Sequence, residues 1–244
     1  RGLGDVYKRQ ILDGGAGNDR LVETGDVDFT LTDTTLTGLG TDTIISTEFA
    51  TLNGGASGNV LDSSGTTTIS ATLNGLGGAD TITGGTPAEL ITGGDGDDVI
   101  NAGGGDDTID GGSGDDMIDG QGGNDRLVVS ADANLATTDS QTTGDGTDSF
   151  SNIELVELIG GSGANILDAS GTTLPTIQNG GAGSDTLITG AGTDMLDGGD
   201  GIDVSSLSGT NVVLTDASFN GTDTIVNVEI VNVTAGATDS LLDA

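Results

Sequence analysis

The chain has 244 residues, 46 of them glycine, with 39 acidic against 5 basic side chains and a formal net charge of -34. Such a charge repels nucleic acid and anionic membrane, whose recognition needs basic patches. The chain contains no Cys, His or Trp, which excludes thiol catalysis, Ser-His-Asp triads, Cys/His zinc sites and haem ligation by those residues; oxygen donors and hard cations remain.

Residues 1–10, RGLGDVYKRQ, do not match the rest of the chain; they hold Arg1, Lys8, Arg9 and Tyr7, the one tyrosine. This segment reads as a non-native, adapter-derived scar and carries no weight in the fold. Residues 11–74 begin with a partial repeat, ILDGGAGNDRLV, and continue as a spacer. Within it DTIISTEFATLNG (Asp42 to Gly54) has regularly spaced aliphatics, which predicts strands continuing the repeat wall. TDTTLTG (Thr32 to Gly38) is polar enough to predict a projecting loop.

Residues 75–128 form the main block. A nine-residue beat runs GLGGADTIT, GGTPAELIT, GGDGDDVIN, AGGGDDTID, GGSGDDMID, GQGGNDRLV, of common form G-G-x-G-x-D-x-U-x with U aliphatic. The glycines admit positive φ, so six residues can make a tight turn and the last three a short strand. The aliphatic side chains Ile82, Ile91, Ile100, Ile109, Ile118 and Leu127 then point to one core. Acidic low complexity would not place an aliphatic at the same position in every unit. A second spacer, 129–179, comes next, with strands predicted around DSFSNIELVELIG and a loop at TTDSQTTG (Thr137 to Gly144). A short block at 180–206 and a last spacer at 207–244 complete the chain, the latter with one strand predicted at TIVNVEIVNV (Thr224 to Val233).

The blocks and spacers make a larger repeat. Ile11 to Val22 returns as Met117 to Val128, and Gly38 to Thr66 returns at the same displacement as Gly144 to Thr172. A third copy opens at Leu196 and stops at Ala244 without a closing element, so the chain is expected to be a slice of a longer protein. The four phenylalanines, Phe29, Phe49, Phe150 and Phe219, fall in spacers and are expected to plug the core.

Two nonapeptides should complete one flattened coil, placing turns two units apart above one another. Calcium takes six to eight oxygens at about 2.3–2.6 Å, and the position-six carboxylates of stacked turns, with turn carbonyls, can supply them. The expected pairs are Asp80 with Asp98, Asp98 with Asp116, Asp107 with Asp125, and Asp185 with Asp203. Asp19 and Asp194 occupy the same position in their units, and Gly93, Gly111, Gly180 and Gly198 open the turns expected to contribute to the cages. Glu89, after Pro87, weakens one turn as a calcium candidate. Asn59 and Asn165 stand at the aspartate position and are expected to let their turns stack without calcium.

The strict GGxGxD units at Gly14, Gly93, Gly111, Gly180 and Gly198, with looser ones at Gly75, Ala102, Gly120 and Thr189, resemble the hemolysin-type (RTX) calcium-binding repeats of secreted bacterial proteins. The resemblance implies an all-β chain, a parallel β-roll or β-solenoid with several Ca2+ ions. It also implies calcium-triggered folding outside the cell and type I secretion. The larger repeat favours a structural region of a surface or secreted adhesin-like protein, with association to a cell surface, matrix or other copies through its parent. The alternative is a carboxy-terminal accessory region of a secreted hydrolase or toxin. No catalytic residue is expected within the chain, and no nucleic-acid binding or membrane insertion.

Overall fold

The computed structural model describes residues 9–209, 218–219, 223–226 and 230–235. Residues 1–8 of the expected adapter-derived segment and much of 207–244 lie outside the described residues. All of the regular structure described is β, and most of the strand pairs are parallel. No helix among the described residues is long and apolar enough to cross a membrane. The chain divides into two compact units, Arg1–Arg126 with Asp148–Ile153, and Leu127–Thr147 with Glu154–Ala244.

In the first unit the nonapeptide strands alternate between two sheets. Thr81–Thr83, Val99–Asn101 and Met117–Asp119 pair in parallel in one; Ser70–Gly77, Leu90–Asp95 and Thr108–Ser113 pair in parallel in the other. The register puts the same repeat position opposite itself, as in Ile82 with Ile100 and Ile100 with Ile118. Each three-residue strand buries only its middle, aliphatic residue. Two apolar columns result, Leu61–Ile82–Ile100–Ile118–Phe150 and Leu52–Leu73–Ile91–Ile109, every member at most 5% exposed. A core one side chain wide per row suits a repeat that touches only its neighbours. At about 1.5–3 kcal/mol for each fully buried aliphatic side chain, these columns are the main apolar contribution to cohesion.

The spacer strands join the same sheets. Val60–Gly65 pairs with Thr81–Thr83, Phe49–Asn53 with Ser70–Gly77, Arg20–Thr24 with Phe49–Asn53, and Ile11–Asp13 with Thr41–Ile45. The polar segment expected to project as a loop does not. Phe29–Thr32 and Thr35–Thr37 form an antiparallel hairpin, and Thr35–Thr37 pairs onward with Thr41–Ile45. The reason is the alternation Phe29, Leu31, Leu36, all buried, beneath outward-facing threonines. In the second unit the equivalent loop is likewise a hairpin, Leu135–Thr138 with Gln141–Thr143, which buries Leu135, Thr137 and Thr142.

The second unit repeats the plan. One sheet carries Leu135–Thr138, Ile166–Gly171, Thr186–Ile188, Val204–Gly209 and Ile230–Ala235; the other carries Leu155–Ile159, Thr176–Asn179, Asp194–Asp197 and Asp223–Val226. Polar side chains enter this core. Gln178 lies between Leu158 and Leu196 in register and donates from Nε2 to the Ile188 carbonyl at 3.0 Å. The single strand expected over Thr224–Val233 is instead two, in different sheets: Asp223–Val226 and Ile230–Ala235. An unbroken apolar-polar alternation cannot reveal where a chain crosses from one wall to the other.

Phe29 and Phe150 plug the core as expected. Phe49 is half-buried, with the Arg20 guanidinium 5.5 Å above its ring. The Phe219 side chain lies outside the described residues.

Candidate metal centre

Each turn is shaped by its glycines and by the residue before it. Gly94 and Gly96, at positions two and four, have φ of 115° and 128°, a region that side chains rarely adopt. At the preceding position nine, Asp110 accepts the N–H of Gly112 at 3.1 Å, and Asp13, Asp119 and Asp197 make the same contact two residues on. This hydrogen bond is local, so it favours the turn independently of the neighbouring rows. Leu76 and Gln121 occupy position two with φ of 77° and 63°, so the stacked rows impose the turn even without glycine there.

The turn presents the position-six aspartate to the row before it. The N–H of Asp80 donates to Oδ1 of Asp98 at 2.7 Å, that of Asp98 to Asp116 at 2.8 Å, and that of Asp107 to Asp125 at 2.9 Å, each across 18 residues. In the second unit the N–H of Asp185 donates to Oδ1 of Asp203 at 2.8 Å. The four pairs anticipated from the spacing are therefore in contact. All of these side chains are at most 2% exposed.

Asp19 is half-buried, and its N–H donates to Oε2 of Glu48 at 2.9 Å. Asp194 accepts from the N–H and hydroxyl of Thr176 at 3.1 and 2.7 Å. Glu89 takes an aspartate's place in the second column, its N–H donating to Asp107 Oδ1 at 2.8 Å.

While Oδ1 is held by the neighbouring row, Oδ2 of Asp80, Asp98, Asp107 and Asp185 is buried without a hydrogen bond. A buried carboxylate oxygen with no donor is costly unless positive charge meets it. Where position one is glycine, as it is for Asp80, Asp98 and Asp185 but not for Asp107, whose turn opens on Ala102, that glycine shows where the oxygen points. A side chain on Gly93 would collide with Oδ2 of Asp98 and the carbonyl oxygen of Gly111; one on Gly180 would collide with Oδ2 of Asp185 and the carbonyl of Gly198. Gly111 stands in the same relation to Asp116. Glycine at position one thus keeps open a place where a carboxylate and a main-chain carbonyl from consecutive rows converge.

Electrostatics agree with that geometry. Burial, reinforced by the charge of Asp80, pushes the Asp98 carboxyl up to about 6, and burial with Asp125 nearby does the same to Asp107. Burial and then Asp107 push Glu89 up to about 8. Burial raises Asp80 and Asp185 as well. Among the described residues no three acidic side chains gather as a metal cluster. The acids meet as stacked pairs, and the remaining ligands of a six- to eight-oxygen shell would be carbonyls such as those of Gly111 and Gly198. An all-oxygen, anionic, charge-starved set fits a hard divalent cation.

The family model of the RTX calcium-binding nonapeptide repeat, in 4 copies, matches residues 11–22, 70–86, 90–132 and 179–204. The four matched stretches are RTX repeats, and with them the chain is a calcium-binding repeat region of the kind found in secreted and cell-surface RTX proteins. No curated protein matches the chain. The RTX model omits residues 87–89, where Pro87 and Glu89 replace the glycine and aspartate of the turn.

The structure adds residues to the RTX columns that lie outside the nonapeptides. Asp148 accepts the N–H of Asp116 at 3.1 Å, Asp42 accepts that of Gln10 at 2.7 Å, and Glu48 accepts that of Asp19. The repeat pattern alone gives them no such place. A signal is present for two of them: GLGTD (Gly38 to Asp42) and GDGTD (Gly144 to Asp148) keep the last five positions of GGxGxD. Two residues on, Ile44 and Phe150 are buried as the repeat's aliphatic is.

Proposed function

We propose that the chain is a calcium-stabilised structural segment of a protein that works outside the cell, its rows forming parallel β-rolls with cations held between successive turns. The observation that carries this reading is the set of buried, donor-less Oδ2 atoms on Asp80, Asp98 and Asp185, each beside a position-one glycine, with Asp107 Oδ2 buried in the same way beside Ala102. Asp80, Asp98 and Asp116 would hold cations along one column, Asp107 and Asp125 along the other, and Asp185 with Asp203 in the second unit. The carbonyls of Gly93, Gly111 and Gly198 would contribute to the shells. Calcium would supply the positive charge that these oxygens and a net charge of -34 call for.

Extracellular modules commonly bind calcium at about 10⁻⁴–10⁻³ M. The free ion at such levels would drive folding by binding the native state alone. The larger repeat lengthens the structure without adding reactive groups, which favours a structural role over a catalytic one. Circular dichroism in excess EDTA and in millimolar calcium tests the proposal. A large gain of β signal with calcium is expected; equal β content in both conditions would sink it.

A further inference from the structure

Two turns carry a buried asparagine in place of the aspartate and meet an exposed carboxylate of an earlier row through donors of the protein itself. In the turn Gly54–Asn59, Asn59 Oδ1 accepts the N–H of Gly55 at 2.7 Å, while its Nδ2 donates to Asp26 Oδ1 at 3.3 Å. Asp26 also accepts the N–H of Ser57 at 3.2 Å, and its Oδ2 accepts the Ser57 hydroxyl at 3.0 Å. In the turn Gly160–Asn165, Asn165 Oδ1 accepts the N–H of Gly161 at 2.9 Å, and Nδ2 donates to Asp132 Oδ1 at 3.3 Å. Asp132 accepts the N–H of Gly163 at 2.9 Å and the Ser162 hydroxyl at 3.1 Å.

Both oxygens of Asp26 and of Asp132 therefore have donors, unlike those of Asp80 or Asp98. The serine that reaches Oδ2 sits at position four in the first turn and position three in the second. The same contact is thus reached from different places in the turn, which points to the contact itself rather than to inherited spacing. The N–H of Gly163, then the Asn165 amide and the Ser162 hydroxyl, hold the Asp132 carboxyl below its ordinary range.

We infer that Asn59 with Asp26, and Asn165 with Asp132, are calcium-independent clamps in which donors from the protein (the amide Nδ2, a serine hydroxyl and turn N–H groups) join the rows without a cation. The inference rests on the calcium reading of the nonapeptides and divides the molecule into seams that need the ion and seams that do not. An aspartate at position 59 would face Asp26 and Asp80 with no amide donor, which turns the clamp into one more cation site.

Amide hydrogen exchange of the full chain, in EDTA and in millimolar calcium, tests this. In EDTA the amides of Gly55, Ser57, Gly161 and Gly163 should stay protected while those of Asp80 and Asp98 lose protection. Asn59→Asp should make Gly55 and Ser57 calcium-dependent, and calorimetric titration with calcium should show one additional ion. Asp26→Ala, which introduces no charge, should speed exchange at Ser57 by about tenfold with calcium stoichiometry unchanged. The clamp is overturned if Gly55 and Ser57 lose protection together with Asp80 on calcium removal, or if Asn59→Asp changes neither protection nor stoichiometry. If no amide responds to calcium at all, the calcium reading fails together with the clamp, a result distinct from either of those.

Discussion

Residues 26–74 and 75–126 of the first unit share one pair of sheets and two apolar columns, yet they satisfy their turns by different means. In the spacer, acids meet donors: Asp26 takes Ser57 and Asn59, and Asp33 takes the N–H groups of Thr67 and Thr68 at 2.9 and 3.0 Å. In the nonapeptide block, position-six carboxylates accept one another's main-chain N–H across 18 residues, and the second oxygens of Asp80, Asp98 and Asp107 are buried without a hydrogen bond. A continuous hydrophobic ladder therefore does not make a uniformly stable structure. The apolar part is common to both stretches, and dependence on solution conditions is set by the turns.

The most severe test of that division is Gly93→Ala. Its Cβ would strike both Asp98 and the Gly111 backbone, so a destabilisation on the order of 4 kcal/mol is expected. The calcium-induced transition seen by circular dichroism should be lost or shifted to much higher calcium. A core pair comes next. Leu61→Ala in the spacer and Ile100→Ala in the block should each cost about 2–5 kcal/mol in denaturant unfolding with calcium present. Similar values would support a shared column; a large cost at one site alone would break the comparison.

A pH series in EDTA should separate the stretches further. Asp98 and Asp107 are raised to about 6 and Glu89 to about 8, so the calcium-free fold binds protons more tightly than the unfolded chain. The stability they contribute is complete below about pH 4, the ordinary carboxylate range. It is lost as pH rises through 6 for the aspartates and through 8 for Glu89. Melting of the block in EDTA should therefore move to lower temperature from acid to neutral pH. Asp132 and Asp139, lowered chiefly by the N–H groups of Gly163 and Thr173, carry the opposite sign. The smallest effect is expected for Gly104→Ala, where the nearest atom to a new Cβ is 3.7 Å away. A change within about 1 kcal/mol in either direction would show that position three, unlike positions one, two and four, does not demand glycine.

The position-eight aliphatics and the two-unit step were legible in the sequence because a period of nine repeats without interruption there. The 0–2% exposure of Ile82 through Leu127 follows directly from it. The inserted hairpin was hidden by composition: the threonines around Leu31 and Leu36 read as loop, although their alternation is that of a strand with one face buried. Asp42 and Asp148 were obscured by a single missing glycine, Thr37 and Thr143 standing in its place. Glu48 had no local signal, since its role comes from a row 29 residues away. The Asn59 and Asn165 substitutions were visible, but their partners Asp26 and Asp132, 33 residues earlier, were not.

The alternation of successive nonapeptides between two walls has a consequence for how such a chain can change length. Inserting or deleting a pair of units leaves every downstream strand on its own wall and every downstream acid in its own column. A single unit reverses both assignments at once, so that the column of Asp98 and Asp116 would continue into residues suited to the column of Asp107 and Asp125. Parity is thus a structural quantity in this molecule, and the irregular spacers, free of a nine-residue beat, are where an odd change can be absorbed.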